Sequence, residues 1–287
     1  MDWIISVSEA ERAAGTLSPP TAEAALRALR VEGVAILRDL FAPSLIDALH
    51  AEYMAQFGSL SADDMNALAK SPPPHAFLKV GGKRYDITPR MNGAFADPSV
   101  FANPLLLSIL QRLLGGDLRL GGFTVVASFP EAAAQHIHRD HPQLFPEGNL
   151  GSVLPAHAIN VAAPLIDVDI ATGPTGIWLG SHRWPESQKP DPAAMVQVPY
   201  RRGDAVLFDY RALHTGLPNQ SAVVRPILYM AYARAWFFDD TNYKHRASLS
   251  MSLEVYEALP EEARNLLLRA YSQTMRSRQM AAHESVK

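Results

Sequence analysis

Cysteine is absent from the chain of 287 residues. Disulfide bonds, iron–sulfur clusters, zinc sites built on thiolates and cysteine nucleophiles are therefore excluded. A metal ion bound by this chain would need histidine, aspartate or glutamate ligands.

An excess of charge and a long apolar run are absent as well. The 26 basic and 29 acidic residues give a net charge of −3, which offers no cationic surface for a nucleic-acid backbone. No apolar stretch approaches the roughly 20 residues that cross a bilayer, and the amino terminus lacks a basic region followed by an apolar run. We therefore expect a cytoplasmic protein that binds neither nucleic acid nor membrane.

The chain does contain enough apolar material for a core. Hydrophobic residues make up 48% and charged residues 19% of the sequence, which is typical of a globular protein. At about 150 residues per domain the length allows one or two domains. Because there is no internal repeat and no low-complexity tract, we predict a single domain over residues 1–287.

Helical patterns dominate the first part of the chain. They occur at residues 21–30, from Pro43 onward and at residues 104–114, where Gly115 and Gly116 end the pattern. Residues 59–98 are rich in Ser, Pro, Asn and Gly, which predicts irregular structure and a candidate lid. Residues 1–116 are thus expected to form a helical support with this lid.

Short β-type runs follow, and a helical tail ends the chain. Many short strands after helices indicate a mainly β fold with flanking helices, either a barrel or a jelly roll. We place the jelly-roll core at residues 117–238 and C-terminal helices at residues 239–287. The predicted strands are residues 124–129, 136–139, 158–165, 175–179, 195–198, 205–210 and 227–233.

Three residues in the β-rich part have the spacing of a metal site. His138 and Asp140 in QHIHRD are two residues apart, so a strand would direct both side chains to one face. His214, in a late strand, supplies a third ligand. Two histidines and one carboxylate form the facial triad of non-haem Fe(II) sites, which leaves positions open for a chelating cosubstrate and O₂. An HxD pattern alone is weak, but its conjunction with His214 favours a metal site.

A cation follows the last of these residues at a fixed distance. Arg225 lies eleven residues after His214. If 2-oxoglutarate is the chelator, its distal carboxylate needs a fixed cation, and the planar guanidinium fork suits a carboxylate. Arg225 is therefore the candidate carboxylate-binding residue.

Four segments resemble the phytanoyl-CoA dioxygenase (PhyH) family of Fe(II)/2-oxoglutarate-dependent oxygenases. The resemblance covers most of the chain, and the HRD form is similar to the branch that acts on natural products. It implies a double-stranded β-helix, the cupin-like jelly roll, with flanking helices. The segments are GVAILRDLFAPSLIDALHAEY, QHIHRD, TGPTGIWLGSHRWP and GDAVLFDYRALHTGLPNQSAVVRPILYMAY.

The resemblance also implies roles for individual residues and a set of cofactors. It implies that iron is bound by His138, Asp140 and His214. It also implies that Arg225 binds the distal carboxylate of 2-oxoglutarate, and that Gln135 and Thr175 contact this cosubstrate. The cofactors are then Fe(II), 2-oxoglutarate and O₂, with ascorbate in support.

The chain departs from the family pattern in three places. Thr172 replaces an Asn, Leu179 replaces a Pro, and Gly216 stands where some relatives have a hydroxyl two residues past the distal histidine. The last departure removes one donor from the expected carboxylate pocket. The carboxylate ligand Asp140 is intact, whereas halogenating relatives replace it with a small residue, so halogenation is disfavoured.

The resemblance implies oxidation of a small organic substrate, in keeping with natural-product biosynthesis, with release of succinate and CO₂. Hydroxylation, desaturation and rearrangement all share the triad, so the sequence leaves the outcome open. Two alternatives also remain open: a jelly-roll binding protein that holds a metal without oxidation, and a zinc hydrolase on the same barrel. The C-terminal helices are similar to segments that pack across a homodimer in some relatives, and a tail that covers the barrel is the alternative.

Overall fold

The computed structural model describes residues 1–71, 76–145, 147–243 and 246–284. Its strands are β1 (Ile4–Ser6), β2 (Val34–Arg38), β3 (Phe77–Gly81), β4 (Arg84–Ile87), β5 (Arg119–Ser128), β6 (Ala158–Pro164), β7 (Thr175–Ile177), β8 (Val196–Gln197), β9 (Ala205–Asp209), β10 (His214–Gly216) and β11 (Arg225–Ala233). Its α-helices are α1 (Glu9–Ala14), α2 (Pro19–Val31), α3 (Pro43–Phe57), α4 (Ala62–Leu68), α5 (Pro98–Phe101), α6 (Pro104–Leu114), α7 (Asp240–Tyr243), α8 (Leu253–Ala258) and α9 (Glu261–Glu284). Short 3₁₀ helices span Gly93–Ala96, Glu147–Ser152, Ser181–Arg183 and Pro192–Ala194.

Local sequence explains where the main helices begin and end. Helices α2, α3 and α6 each begin with proline, whose fixed φ suits the first helical turn. Asn103 caps α6 through its side-chain oxygen, and Gly115 ends the helix with φ of +100°. The bounds of α6 agree with the sequence prediction, since periodic leucines and a glycine stop are both local signals.

Most strands join one large sheet. The eight strands run in the order β1-β2-β9-β6-β11-β5-β4-β3, with β11 paired to both β5 and β6. A smaller sheet has the order β10-β7-β8. The first part of the chain therefore contributes β1 and β2 at one edge of the large sheet and β3 and β4 at the other.

The register of the large sheet aligns polar side chains on one face. Arg84 on β4 and Arg225 on β11 both pair with Ser128 on β5, so the three residues form one row across adjacent strands. A second row joins Ala231 to Asn160 on β6. Because alternate residues of a strand point to the same face, Arg225, Tyr229 and Ala231 share the face that carries these rows.

Two sequence predictions about secondary structure were wrong. Residues 136–139 do not form a strand; His138 makes a single antiparallel bridge with His214. The stretch 59–98 contains α4 and the hairpin β3–β4 rather than only irregular structure. The hairpin pairs with β5, and tertiary pairing of this kind overrides local composition.

Three apolar residues of the predicted lid belong to the core. Tyr85, Met91 and Phe95 are all buried in the main hydrophobic cluster. They therefore do not line a substrate pocket. Residues 72–75, which also fell in the predicted lid, lie outside the described residues.

The C-terminal part is helical, as predicted from the sequence. Helices α8 and α9 follow the last strand, and α9 packs against β5. Among the described residues, no helix combines the length and apolar character that crossing a membrane requires.

Candidate active site

A cavity of about 370 Å³ lies between the two sheets. The large sheet contributes side chains from β4, β5, β6 and β11, and the small sheet contributes Thr175, His214 and Gly216. Residues before and after His138, Tyr210, and residues of α7 and just after it also line the cavity. The cavity thus contacts most of the sequence-predicted site residues.

The two predicted histidine ligands lie side by side. The backbone N–H and C=O groups of His138 and His214 exchange hydrogen bonds of 3.0 and 2.9 Å, and the ring centroids are 4.3 Å apart. Each ring Nδ1 lies near a main-chain carbonyl, that of His136 at 2.8 Å and that of Ala212 at 3.0 Å. An Nδ1–H that donates to a carbonyl leaves Nε2 as the metal-binding atom.

Asp140 completes the cluster. Its Oδ1 lies 3.5 Å from Nε2 of His214, and one ligand atom from each of His138, Asp140 and His214 lies within 4.8 Å of the others. Asn160 on β6 donates to Asp140 Oδ2 at 3.2 Å. Asn242 of α7 donates to the main-chain oxygen of Asp140 at 2.8 Å. These two amides fix the carboxylate and its backbone.

The protonation states of this cluster suit a divalent metal. Burial lowers the pKa of both His138 and His214 to about 4, so both rings are neutral at pH 7. Burial raises the pKa of Asp140 to about 6. Two neutral imidazoles and one carboxylate are the donor set of a non-haem Fe(II) site, and ligands with bonds of roughly 2.1 Å lie about 3 Å apart. The residues present therefore fit the metal that the sequence predicts.

Arg225 is 2% exposed and lies on the same face of β11 as Tyr229, which lines the cavity. Its Nη2 donates to Ser128 Oγ at 2.8 Å, and its Nη1 reaches the main-chain oxygen of Thr172 at 3.5 Å. Its Nε is buried without a hydrogen-bond partner among the described residues. Among the residues that the structure describes, no carboxylate forms an ion pair with Arg225.

Gln135 and Thr175 both line the cavity. The backbone N–H of Gln135 donates to the Gly216 carbonyl at 2.9 Å, and its side-chain Nε2 donates to the Val80 carbonyl at 3.3 Å. Thr175 pairs with Gly216 between β7 and β10. Its hydroxyl is 3.4 Å from the Tyr200 hydroxyl. The two residues therefore flank Gly216 on the same wall.

Arg84 belongs to this region, whereas the sequence placed it in the candidate lid, as a residue that could line the substrate pocket. Its Nη1 donates to Gln135 Oε1 at 3.3 Å, and its Nη2 donates to the carbonyls of Ala133 and Leu217 at 3.1 and 2.7 Å. The side chain is fully buried, and burial together with Arg225 lowers the pKa of Arg84 to about 10. The alternation of polar and apolar residues in RYDI was the available signal, but it was interpreted as part of a lid.

Gly216 makes room for this second guanidinium. A Cβ atom at position 216 would lie 1.8 Å from Arg84 Nη1 and 2.4 Å from Gln135 Oε1. The missing side chain that departs from the family pattern is therefore matched by a cation from another strand. Arg84 Nη1 thus occupies the space that a side chain at position 216 would need.

Tyr229 connects these groups. It lies on the same face of β11 as Arg225, four residues along the strand. Burial raises the pKa of Tyr229 to about 12, with Tyr200 adding to the rise and Arg225, Thr175 and Arg84 opposing it. The hydroxyl is therefore a neutral donor at pH 7.

An ion pair beside an aromatic ring also lines the cavity. Arg246 Nη2 donates to Asp86 Oδ2 at 2.7 Å, and the Arg246 guanidinium lies 4.9 Å from the centroid of the Tyr243 ring. The Tyr243 hydroxyl lies against the backbone of Gly122, where a Cβ would be 1.9 Å away. Asp86, Tyr243 and Arg246 all line the cavity. Sequence reasoning assigned none of them.

The remaining described histidines lie outside the cluster. His157 is buried beside Phe237, with ring centroids 4.5 Å apart, and His182 packs against Gly33. His136 contacts the cluster through its carbonyl and through ring packing 4.9 Å from His138. His245 lies outside the described residues.

Comparison with known proteins identifies a family and a fold. The model of the phytanoyl-CoA dioxygenase (PhyH) family matches residues 29–227. The dioxygenase trt7 of Aspergillus terreus is 26% identical over 241 residues, which are 80% of this chain and 78% of that protein. The dioxygenase aneA of Aspergillus aculeatus is 27% identical over 77% of this chain and 75% of its own length.

Solved structures share the architecture. The epimerase SnoN of nogalamycin biosynthesis, described as non-heme and alpha ketoglutarate dependent, superposes with a TM-score of 0.54 at 19% identity. The alignment covers 76% of this chain and 82% of SnoN. AviO1 from Streptomyces viridochromogenes Tue57 gives the same TM-score at 20% identity, over 77% of this chain and 98% of its own. These likenesses confirm the predicted jelly-roll fold.

Proposed function

The chain belongs to the phytanoyl-CoA dioxygenase family of Fe(II)/2-oxoglutarate-dependent oxygenases, and we propose that His138, Asp140 and His214 bind its iron. We propose further that it oxidises a small organic molecule of a natural-product pathway. The observation that carries the proposal is the convergence of two neutral imidazoles and one carboxylate on a cavity whose wall includes Tyr229, on the same strand face as the buried Arg225. Bound iron would activate O₂, the oxidant, with 2-oxoglutarate as the two-electron co-substrate that leaves as succinate and CO₂.

The protein's own residues prepare the metal ligands. The carbonyls of His136 and Ala212 hold the Nδ1–H tautomers, so that both Nε2 lone pairs face the metal position. Asn160 orients the Asp140 carboxylate by occupying Oδ2, which leaves Oδ1 toward His214. Because these partners are in place before the metal binds, little reorganisation is needed.

The group of residues around Tyr229 suits the distal carboxylate of the cosubstrate. Arg225 and Arg84 bring two guanidiniums that have no carboxylate partner in the described part of the chain. Thr175 and Tyr229 add neutral hydroxyl donors. Arg84 also fixes the amide of Gln135, whose Nε2 points along the cavity wall. Burial strengthens each of these charge-assisted contacts.

The natural-product assignment is supported by the named relatives. Relatives include fungal dioxygenases, and SnoN has been solved with Fe³⁺, alpha ketoglutarate and nogalamycin RO. The cavity of about 370 Å³ is large enough for 2-oxoglutarate and part of such a substrate. A homodimer remains a proposal that a solution measurement of mass would test.

The test uses purified protein with Fe(II) and 2-oxoglutarate. Without O₂, we expect a visible absorption band from charge transfer between iron and chelated 2-oxoglutarate; after O₂ is admitted, we expect succinate. Asp140→Ala should abolish both signals while the fold is retained. Asp47→Ala, which removes an exposed carboxylate paired with Arg202, is the matched control and should change neither.

Three results would each contradict part of the proposal. If the iron-loaded wild-type protein gives no band and no succinate, the oxygenase assignment fails. If hydrolysis of an ester or amide proceeds without O₂ and without 2-oxoglutarate, the protein is a metal hydrolase instead. If Asp140→Ala retains metal affinity and turnover, the ligand set is wrong.

A further inference from the structure

Two cavities of the protein adjoin at one place. The cavity of about 370 Å³ that the proposed iron ligands line and a smaller cavity of about 20 Å³ share three lining residues, Tyr210, Ala231 and Tyr243. The smaller cavity is otherwise lined by the start of β5, the end of β11, the segment that follows β11, and α9. Because the three shared residues contribute to both cavities, they form the wall between them.

Two small residues of the large sheet meet at this wall. Gly122 on β5 pairs with Ala231 on β11. Thr124, two residues after Gly122, lines the larger cavity, so position 122 faces the same side of the sheet. A Cβ at position 122 would overlap the Tyr243 side chain, which supplies the three nearest atoms. The Gly122–Ala231 pair thus leaves a notch in the sheet surface, and the tip of the Tyr243 ring fills it.

Neighbouring groups hold the Tyr243 ring in this notch. The Arg246 guanidinium lies over the ring, 4.9 Å from its centroid, and Asp86 fixes this guanidinium through an ion pair of 2.7 Å. The preceding residue, Asn242, donates to the main-chain oxygen of Asp140 at 2.8 Å, which fixes the backbone of α7. The ring is therefore held in position before a substrate arrives, as selection by shape requires.

The two tyrosines of the wall differ in their connection to the proposed iron site. The Tyr210 carbonyl accepts from the Asp140 backbone N–H at 3.0 Å, and its ring packs against Phe237 with centroids 6.3 Å apart. Among the described residues, no side-chain hydrogen bond joins Tyr243 to an iron ligand. Tyr243 also lies beyond residue 227, where the match to the family model ends. Position 243 can therefore change the wall without changing the proposed iron ligands.

We propose that Tyr243 determines the size of the substrate, because its ring in the Gly122–Ala231 notch ends the space for an apolar group and keeps that group out of the smaller cavity. The wild-type enzyme then prefers compact substrates to those with an additional alkyl chain at this position. A smaller residue at position 243 joins the two cavities, and the added space is lined by apolar side chains such as Leu120 and Phe237. This inference rests on the proposed oxygenase function and adds the residue that selects among its substrates.

The first experiment tests the wall without a substrate. Removing a ring from an apolar wall leaves a cavity that binds small aromatic molecules. With iron-loaded protein under anaerobic conditions, and indole at about ten times its Kd, we expect the Tm of Tyr243→Ala to rise roughly 2–4 °C more than that of the wild type. Tyr243→Phe keeps the ring and should behave as the wild type.

A double variant refills the notch from the opposite side. Gly122→Val added to Tyr243→Ala places a side chain from β5 where the ring tip was, so the additional rise in Tm should be lost. An equal indole shift in the wild type and Tyr243→Ala overturns the proposal, and so does an undiminished shift in the refilled double variant. If Tyr243→Ala does not unfold cooperatively, Tyr243→Leu opens part of the same space and takes its place in both experiments.

The second experiment measures selection by size during turnover. Terpenoid and polyketide alcohols and ketones are tested in pairs, a parent and its derivative with an added butyl chain, and succinate formation gives kcat/KM. We expect the ratio of extended to parent compound to rise at least about tenfold in Tyr243→Ala and to return to within about threefold of the wild-type ratio in the refilled double variant. An unchanged ratio in Tyr243→Ala, or a raised ratio that persists in the double variant, overturns the proposal.

Trp236→Ala is the matched control. It truncates an exposed aromatic side chain that lines neither cavity, seven residues before Tyr243. The control should show the wild-type response to indole and the wild-type ratio of extended to parent compound. A response like that of Tyr243→Ala would show that loss of any nearby ring is sufficient, which overturns the specific role of Tyr243.

Failure of this proposal and failure of the oxygenase assignment can be told apart. The anaerobic absorption band with 2-oxoglutarate needs no substrate and reports the iron and cosubstrate site alone. A band in the wild type and in Tyr243→Ala, together with an unchanged size preference, disproves only the role of Tyr243. Loss of the band in Tyr243→Ala alone shows that this residue supports the iron site instead. Loss of the band in the wild-type protein disproves the assignment on which the proposal rests.

Discussion

Gly216 offers a sharp test of the proposed role of Arg84 in binding 2-oxoglutarate. In Gly216→Ala, the new Cβ would lie 1.8 Å from Arg84 Nη1 and 2.4 Å from Gln135 Oε1, so the guanidinium must move. Movement breaks hydrogen bonds to Gln135, Ala133 and Leu217. Neither the fold nor the three proposed iron ligands need change, because the clash involves only the ends of two side chains.

The magnitude follows from the one charge-assisted contact that a displaced Arg84 would lose with the distal carboxylate of 2-oxoglutarate. A hydrogen bond to a charged group contributes about 1.5–3 kcal/mol, which corresponds to roughly a 10- to 100-fold change in affinity. We therefore expect the Kd of 2-oxoglutarate to rise about 10- to 100-fold in Gly216→Ala. Anaerobic titration of the Fe(II) protein, followed by the charge-transfer band, measures this value directly.

A double-variant cycle identifies the cause. In an Arg84→Ala background only the clash with Gln135 Oε1 remains, so adding Gly216→Ala should raise the Kd of 2-oxoglutarate less than it does in the wild-type background. Gly116→Ala is the matched control, since a Cβ there meets no atom of the described structure within 4 Å. A wild-type Kd in Gly216→Ala, or additive effects of the two substitutions, would refute the reasoning.

Three further predictions concern the metal site and stability. Asn160→Leu should weaken Fe(II) binding about 10- to 100-fold in a competition titration, because Asp140 loses its amide partner; unchanged affinity would contradict this. Gly33→Ala, with φ of +75° and a Cβ 2.4 Å from the His182 ring, should lower the free energy of unfolding by roughly 2–4 kcal/mol in urea, whereas a loss under 1 kcal/mol would contradict the clash. Burial lowers the pKa of His157 to about 4, so between about pH 6.5 and 4 the unfolded chain binds a proton that the folded chain does not, and the free energy of unfolding falls with pH. His157→Phe should remove about 3 kcal/mol of this loss. An unchanged dependence of the free energy of unfolding on pH would contradict this prediction.

The sequence predicted the elements whose signals are local. Helix α6 follows from periodic leucines between Asn103 and Gly115, and most of the β-rich runs after Gly116 are strands within a residue or two. The strand at residues 136–139 and the irregular stretch at 59–98 were wrong, because pairing with distant strands decides those segments.

The candidate site also combines residues that the sequence predicted with residues that only the structure brings there. The sequence predicted His138, Asp140, His214 and Arg225 because residue types and spacings can be recognised in a single sequence. It did not reveal that Arg84 lies on the same wall, since a residue 132 positions from Gly216 carries no local mark of that contact.

The sequence by itself determined the family, the class of chemistry and the candidate ligands, because motif residues keep fixed distances along the chain. Only the tertiary structure decided which side chains meet across strands: the fit of Arg84 against Gly216, the amide of Asn160 on Asp140, and the pairing of Asp86 with Arg246. Such contacts depend on sheet register and on the space that a missing side chain leaves, and neither is a property of any local segment.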